Sequence, residues 1–209
     1  MNLTPALLAA LAVIAFSATL YGLRYLHAEN SAWRSFWKTV PVGLMAVAVS
    51  FFGLSPALAL ALAFSAAGDY FLSRDDSQFP FGLGAFLIAH LLYIWLFWQV
   101  GADGGFVWGH GAMLGYGIIF AAFLWPRTGA FRMPVLAYIC VISLMVSAAL
   151  LLPAGYTPVL AGSLAFAFSD SILALEMFVV KAPQARLALS RVVWVSYIVA
   201  QALIVGGLS

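Results

Sequence analysis

Two aspartates stand inside otherwise apolar stretches of this chain. Asp69 follows Ala66-Ala67-Gly68, and Asp170 sits between Ser169 and Ser171 in Ala167-Phe168-Ser169-Asp170-Ser171-Ile172-Leu173. A carboxylate within an apolar span is expensive to keep there, so a functional role is its default explanation. His90 and Tyr93 lie three apart in a further apolar stretch, and Tyr197 and Gln201 four apart in another. On a helix, both spacings place the two side chains on one face. Apolar burial and a neighbouring cation move a carboxyl's proton affinity in opposite directions, so two acids in unlike surroundings can divide into a proton donor and a base. Such a pair suits hydrolysis of an acid-labile bond reached from the membrane. A vinyl ether is one: protonation of its alkenyl carbon gives an oxocarbenium ion, water adds, and the hemiacetal collapses to an aldehyde and an alcohol. No Gly-x-Ser-x-Gly nucleophile motif occurs, which favours acid–base hydrolysis over acyl-enzyme chemistry. The His, Asp and Glu residues lack a ligand spacing such as His-x-x-x-His, so neither a metal nor another cofactor is expected.

These side chains must be held by elements built for lipid. Of 209 residues, 65% are hydrophobic and 8% charged, against roughly a quarter charged in a soluble domain. Mean hydropathy is +1.07. The apolar runs are long and continuous, unlike the alternating segments of an outer-membrane barrel. The expected class is therefore an all-α, polytopic membrane bundle forming a single integral domain over residues 1–209. Membrane lipids surround it, no nucleic-acid partner is expected, and a homodimer is left open. Cys140 is the lone cysteine, so no internal disulfide can form. The opening Met-Asn-Leu-Thr-Pro lacks the basic flank of a signal peptide and is read as leading into an uncleaved first span.

A span takes about 20 mostly apolar residues. Eight candidates run near 5–26, 39–53, 54–73, 80–100, 107–125, 134–152, 158–180 and 189–207. Gly53, Ser55 and Pro56 divide the second from the third. With eight spans, Arg24, Arg34 and Lys38 fall at the first connection, Arg74 at the third, Arg127 and Arg132 at the fifth, and Lys181, Arg186 and Arg191 at the seventh. Basic residues mark cytoplasmic loops, so both termini are expected outside, in a bacterial inner membrane. Gly68-Asp69-Tyr70-Phe71-Leu72 faintly echoes Ser169-Asp170-Ser171-Ile172-Leu173, each after a helix expected to open on Pro-Val (Pro41-Val42, Pro134-Val135), which would suit a parallel repeat.

At 1.5 Å per residue, Asp69 and Glu176 lie roughly 7 Å inside the cytoplasmic end, and His90 and Asp170 roughly 15 Å. If the helices are neighbours, the polar residues form a funnel opening to the cytoplasm. Ser65, Asp69 and Ser73 share one stripe. Each residue also has a structural reading. Asp69 and Asp170 would then hydrogen-bond a neighbouring helix, His90 would be a packed imidazole, and Tyr93, Trp194 and Tyr197 ordinary packing. Gln201 would be interhelical glue, Lys38 and Arg74 topology residues, Glu176 an interfacial side chain, and Asp75 and Asp76 a solvated loop.

The chain resembles the YhhN family of integral membrane lysoplasmalogenases. The resemblance is carried by Gly68-Asp69-x-x-Leu72, by Gly84-Ala85-Phe86-Leu87-Ile88-Ala89-His90-Leu91-Leu92-Tyr93, and by Ser169-Asp170-Ser171-Ile172-Leu173-Ala174. Tyr197-x-x-x-Gln201 supports it, as do Lys38 and Pro41, three apart where the family's lysine is commonly followed directly by proline. It implies hydrolysis of the alkenyl ether of a lysophospholipid, the lysoplasmalogen, to a fatty aldehyde and glycerophosphoethanolamine or glycerophosphocholine. On the matching positions Asp69 and Asp170 would be the acid/base pair, with His90 and Tyr93 orienting them or water. Lys38 and Arg74 would meet the lipid phosphate, with Ser169, Tyr197 and Gln201 completing substrate binding.

Other classes compete. A proton-coupled transporter would use the same intramembrane Asp and His residues. An intramembrane aspartyl protease would need Gly-x-Gly-Asp, of which Ala66-Ala67-Gly68-Asp69 has half. A scaffold would tolerate loss of both aspartates, and a retinal protein would need a mid-span lysine.

Overall fold

Caps and breakers cut the apolar sequence into helices where the residue types demand. Thr4 precedes Pro5, and its hydroxyl accepts from the Leu7 amide at 3.2 Å. Ser31 does the same for Arg34 at 3.2 Å, and Ser55, followed by Pro56, for Leu58 at 3.4 Å. Each pattern satisfies an amide that the first turn leaves without a helical partner. Gly53 turns the chain at φ +68°, a conformation that glycine adopts without a Cβ penalty. The expected break at Gly53, Ser55 and Pro56 is where the chain breaks.

The computed structural model describes residues 4–101 and 108–209, and among these the chain is all-helical, with no strand. Its eight α-helices are α1 (Pro5–Leu20), α2 (Ala32–Phe51), α3 (Pro56–Leu72), α4 (Phe79–Val100), α5 (Trp108–Leu124), α6 (Arg132–Ala149), α7 (Thr157–Phe178) and α8 (Pro183–Leu208). A π-helical turn, Tyr21–Tyr25, extends α1. Among the described residues, five segments are long and apolar enough to cross a bilayer: Pro5–Tyr25, Phe79–Val100, Gly129–Ala149, Ala154–Phe178 and Pro183–Leu208. The apolar helices α3 and α5 have 17 residues each, about 26 Å of helix and the short end of the membrane-spanning range.

Two helix starts differ from the sequence expectation by six residues or more. α2 starts at Ala32 rather than 39, because the Ser31 cap and the edge-to-face contacts of Phe36 with Trp33 and Trp37 carry the helix through a segment with two basic residues. Pro41 therefore lies inside α2, where its missing N–H interrupts the helical ladder. Pro134 stands in the first turn of α6, so the two Pro-Val pairs occupy different registers and lend the internal echo no support. α8 starts at Pro183 rather than 189, with proline at the one end of a helix that tolerates it. The expected start of the fifth span, at 107, lies outside the described residues.

The chain divides into two compact units, one up to Leu92 and the other Tyr93–Leu208, with the boundary inside α4. In the first, α2 packs against both α1 and α3. Val42, Met45 and Val49 of α2 and Leu58, Ala61 and Leu62 of α3 are buried. In the second, α6 packs against α5 and α7, and α7 lies closest against α8. Glycine permits that closeness. A Cβ on Gly162 would stand 2.8 Å from the Ala200 carbonyl oxygen, and one on Gly207 2.6 Å from a Val159 methyl. Gly162→Leu is therefore expected to destabilise the protein by at least about 1–3 kcal/mol through overpacking. Gly206→Ala, where a Cβ meets no atom within 4 Å, should leave stability unchanged; thermal unfolding of both variants in detergent checks this.

Candidate active site

The first unit holds Lys38, Asp69, Arg74 and His90. Ser65, Asp69 and Ser73 form the buried stripe that their spacing implies. The Ser65 hydroxyl donates to the Ala61 carbonyl at 2.9 Å and that of Ser73 to Tyr70 at 2.7 Å. Between them, the Asp69 carboxylate lies 3.9 Å from the Lys38 ammonium, the lysine side chain 18% exposed and the aspartate 3%. Four residues earlier on α2, Arg34 Nη1 donates to the Ser73 carbonyl at 3.1 Å and to Asn30 Oδ1 at 2.9 Å. Asn30 in turn donates to the Arg74 carbonyl at 3.5 Å. The guanidinium thus meets the Ser73 carbonyl, and Asn30 that of Arg74, at the C-terminal end of α3, where helix geometry leaves acceptors and a negative dipole end. Arg34 with Ser73 and Lys38 with Asp69 make two rungs of one antiparallel register.

Gly68 is set by the neighbouring helix. A Cβ there would lie 2.5 Å from the Phe86 ring of α4, so glycine beside Asp69 lets that ring pack down. One turn along α4, His90 is fully buried and its Nδ1 lies 2.6 Å from the Phe86 carbonyl. A carbonyl only accepts, which puts the ring proton on Nδ1. Arg74 is exposed, its guanidinium 5.8 Å above the Tyr70 ring. Asp75 is exposed as well, as expected; the expectation for the Asp76 side chain lies outside what is described.

The second unit holds Tyr93, Ser169, Asp170, Tyr197 and Gln201. The buried Tyr93 hydroxyl donates to Gln201 Oε1 at 2.5 Å, joining α4 to α8. Phe166 packs edge-on against both Tyr93 and Tyr197. Ser169 donates to the Val193 carbonyl at 3.0 Å, tying α7 to α8. Glu176 accepts from Ser190 of α8 at 2.7 Å, so it serves an interhelical bond rather than the membrane surface. Asp170 is half-buried, and its Oδ2 accepts from the Tyr138 hydroxyl of α6 at 2.5 Å. On the adjacent position of α7, Ser171 lies 2.5 Å from the Tyr116 hydroxyl of α5.

The fold thus brings together Lys38 with Asp69 and Tyr93 with Gln201, while Asp69 and Asp170 fall in different units. Sequence reasoning passed over Arg34, Tyr116 and Tyr138. Tyr116 carried a usable signal, since it lies eleven residues from Arg127 as Asp170 does from Lys181, which matches their estimated depths. Tyr138 gave none, because it reaches Asp170 by the length of its side chain. Among the described residues, no three of His, Cys, Asp and Glu lie together as metal ligands would.

One buried and one half-buried carboxylate thus stand in unlike settings within an all-helical, apolar chain of membrane-protein type, the first beside an ammonium and the second under a phenol. The chain belongs to the YhhN family, whose model matches residues 33–208. It is 37% identical over 157 residues to the lysoplasmalogenase of Mycobacterium bovis and, equally, to that of Mycobacterium tuberculosis. Each match covers 70% of this chain and 58% of the relative, so the chain spans somewhat under two thirds of the length of these curated proteins. No solved structure matches it.

Lys38→Met should leave the buried Asp69 without its adjacent cation and destabilise the protein by about 2–4 kcal/mol, tempered by the partial exposure of the lysine. Lys38→Met combined with Asp69→Leu should recover most of that loss, because no buried charge remains. Denaturant titration followed by circular dichroism checks the order of the two variants.

Proposed function

We propose that this protein is an integral membrane hydrolase that cleaves the vinyl ether of lysoplasmalogens. The observation that carries the reading is its family membership together with the 37% identity to two proteins named lysoplasmalogenase. The two carboxylate settings supply chemistry of the right kind. In the reaction, an acid gives one proton to the alkenyl carbon farther from the ether oxygen, leaving an oxocarbenium ion. Water bonds to the cationic carbon and gives a proton to a base. The resulting hemiacetal moves its hydroxyl proton to the ether oxygen as that C–O bond breaks, releasing aldehyde and glycerophosphoethanolamine or glycerophosphocholine. One water is consumed, and the proton taken by the base restores the acid.

Asp69 and Asp170 carry this acid–base work, and His90 and Tyr93 order the acids and water. Lys38 and Arg74 meet the substrate's phosphate, and Ser169, Tyr197 and Gln201 shape the substrate site. Eight crossings with both termini outside put the basic connections on the cytoplasmic side of a bacterial inner membrane. That placement is supported by where the Lys and Arg residues fall, at the α1–α2, α3–α4, α5–α6 and α7–α8 connections or the helix ends beside them.

The test incubates the purified protein with 1-alkenyl and 1-acyl lysophospholipids and measures free fatty aldehyde. Aldehyde from the alkenyl lipid alone is the expected result. Asp69→Asn and Asp170→Asn should each lower its release by about 10²–10⁴-fold, the usual contribution of a general acid or base, while remaining folded. Wild-type rates in both variants would sink the mechanism. Uptake into liposomes driven by a pH gradient, without aldehyde, would favour the transporter reading instead.

A further inference from the structure

The cluster around Asp170 allows its protons to be traced. Ser171 Oγ lies 2.5 Å from the Ala167 carbonyl, which can only accept, so the serine proton goes there. Ser171 must then accept from Tyr116, whose hydroxyl lies 2.5 Å away, and this commits the Tyr116 proton. The Tyr138 hydroxyl instead directs its proton to Asp170 Oδ2 at 2.5 Å, the short end of the range for a hydroxyl on a carboxylate. On the other side of α7, Ser169 holds the Val193 carbonyl of α8 at 3.0 Å. The turn bearing Asp170 is thereby fastened to α6 through its own side chain and to α8 through its neighbour.

We propose that Tyr138 is a positioning residue that holds Asp170 as a proton acceptor. This rests on the vinyl-ether reading and deepens it, by giving Asp170 the base's part rather than the acid's. A carboxylate that accepts the phenol's hydrogen bond on one oxygen is oriented to take a proton, and the proton released as water bonds to the oxocarbenium carbon goes to it. Tyr138 donates a hydrogen bond throughout and is neither oxidised nor bonded to substrate. The rigid ring, anchored on α6, fixes the plane in which the carboxylate meets that water.

The experiment compares Tyr138→Phe with Tyr116→Phe in the full-length protein, each losing one hydroxyl from the same cluster. Y138F is expected to lower kcat by about 10²-fold, the effect of misplacing a catalytic group by about an ångström, with KM unchanged. That split marks an interaction used only in the transition state. Y116F should leave kcat unchanged. In infrared difference spectra, the carboxylate stretch that disappears in Asp170→Asn should shift in Y138F and stay put in Y116F. Wild-type kcat in Y138F, equal losses in the two variants, or an unmoved band would overturn the proposal. A wild type that releases no aldehyde would overturn the vinyl-ether reading, and the infrared band would still decide whether Tyr138 holds Asp170.

Discussion

A carboxylate can be kept in a lipid-facing bundle only if another helix brings something to it. Asp69 has the Lys38 ammonium at 3.9 Å, and that contact governs the first unit. It obliges α2 and α3 to lie antiparallel in one register, which Arg34 repeats one turn away on the Ser73 carbonyl. The basic residues of α2 thus do more than mark a membrane side. They also account for why α2 begins at Ala32, since helical spacing of Arg34 and Lys38 is needed for both to face α3. Gly68 belongs to the same arrangement, because the Phe86 ring occupies the place where any larger residue would put its Cβ.

The second unit meets the constraint with neutral donors. Tyr138 serves Asp170, Ser190 serves Glu176, Tyr93 serves Gln201, and Ser169 serves a main-chain carbonyl. Each bond joins two helices, so polar satisfaction and helix packing are one event here. The close approach of α7 and α8 through Gly162 and Gly207 holds the Ser169 and Ser190 bonds at length. Tightly packed apolar contacts then supply rigidity that hydrogen bonds alone would not.

These two solutions differ in a way that matters for chemistry. The first sets a carboxylate beside an ammonium, the second a carboxylate under a phenol's hydrogen bond. An enzyme that must protonate carbon and then deprotonate water needs such an inequality, because identical acids would compete for the same part. The proposed hydrolysis rests on membership in the YhhN family, and the unlike settings are what such a reaction would draw on.

Much of this was legible in the residues themselves. Continuous apolar runs with 8% charge require a helical membrane protein, since backbone groups in lipid must bond within their own segment. Caps and prolines set most boundaries, and helical spacing placed Ser65, Asp69 and Ser73 on a single buried stripe. Spacing works because it reports one helix at a time. What a side chain meets across a helix interface depends on rotation, tilt and reach, which no local pattern encodes. Tertiary structure alone therefore decided that Lys38 turns inward to Asp69, that Glu176 faces α8, and that Tyr138 is long enough to reach Asp170.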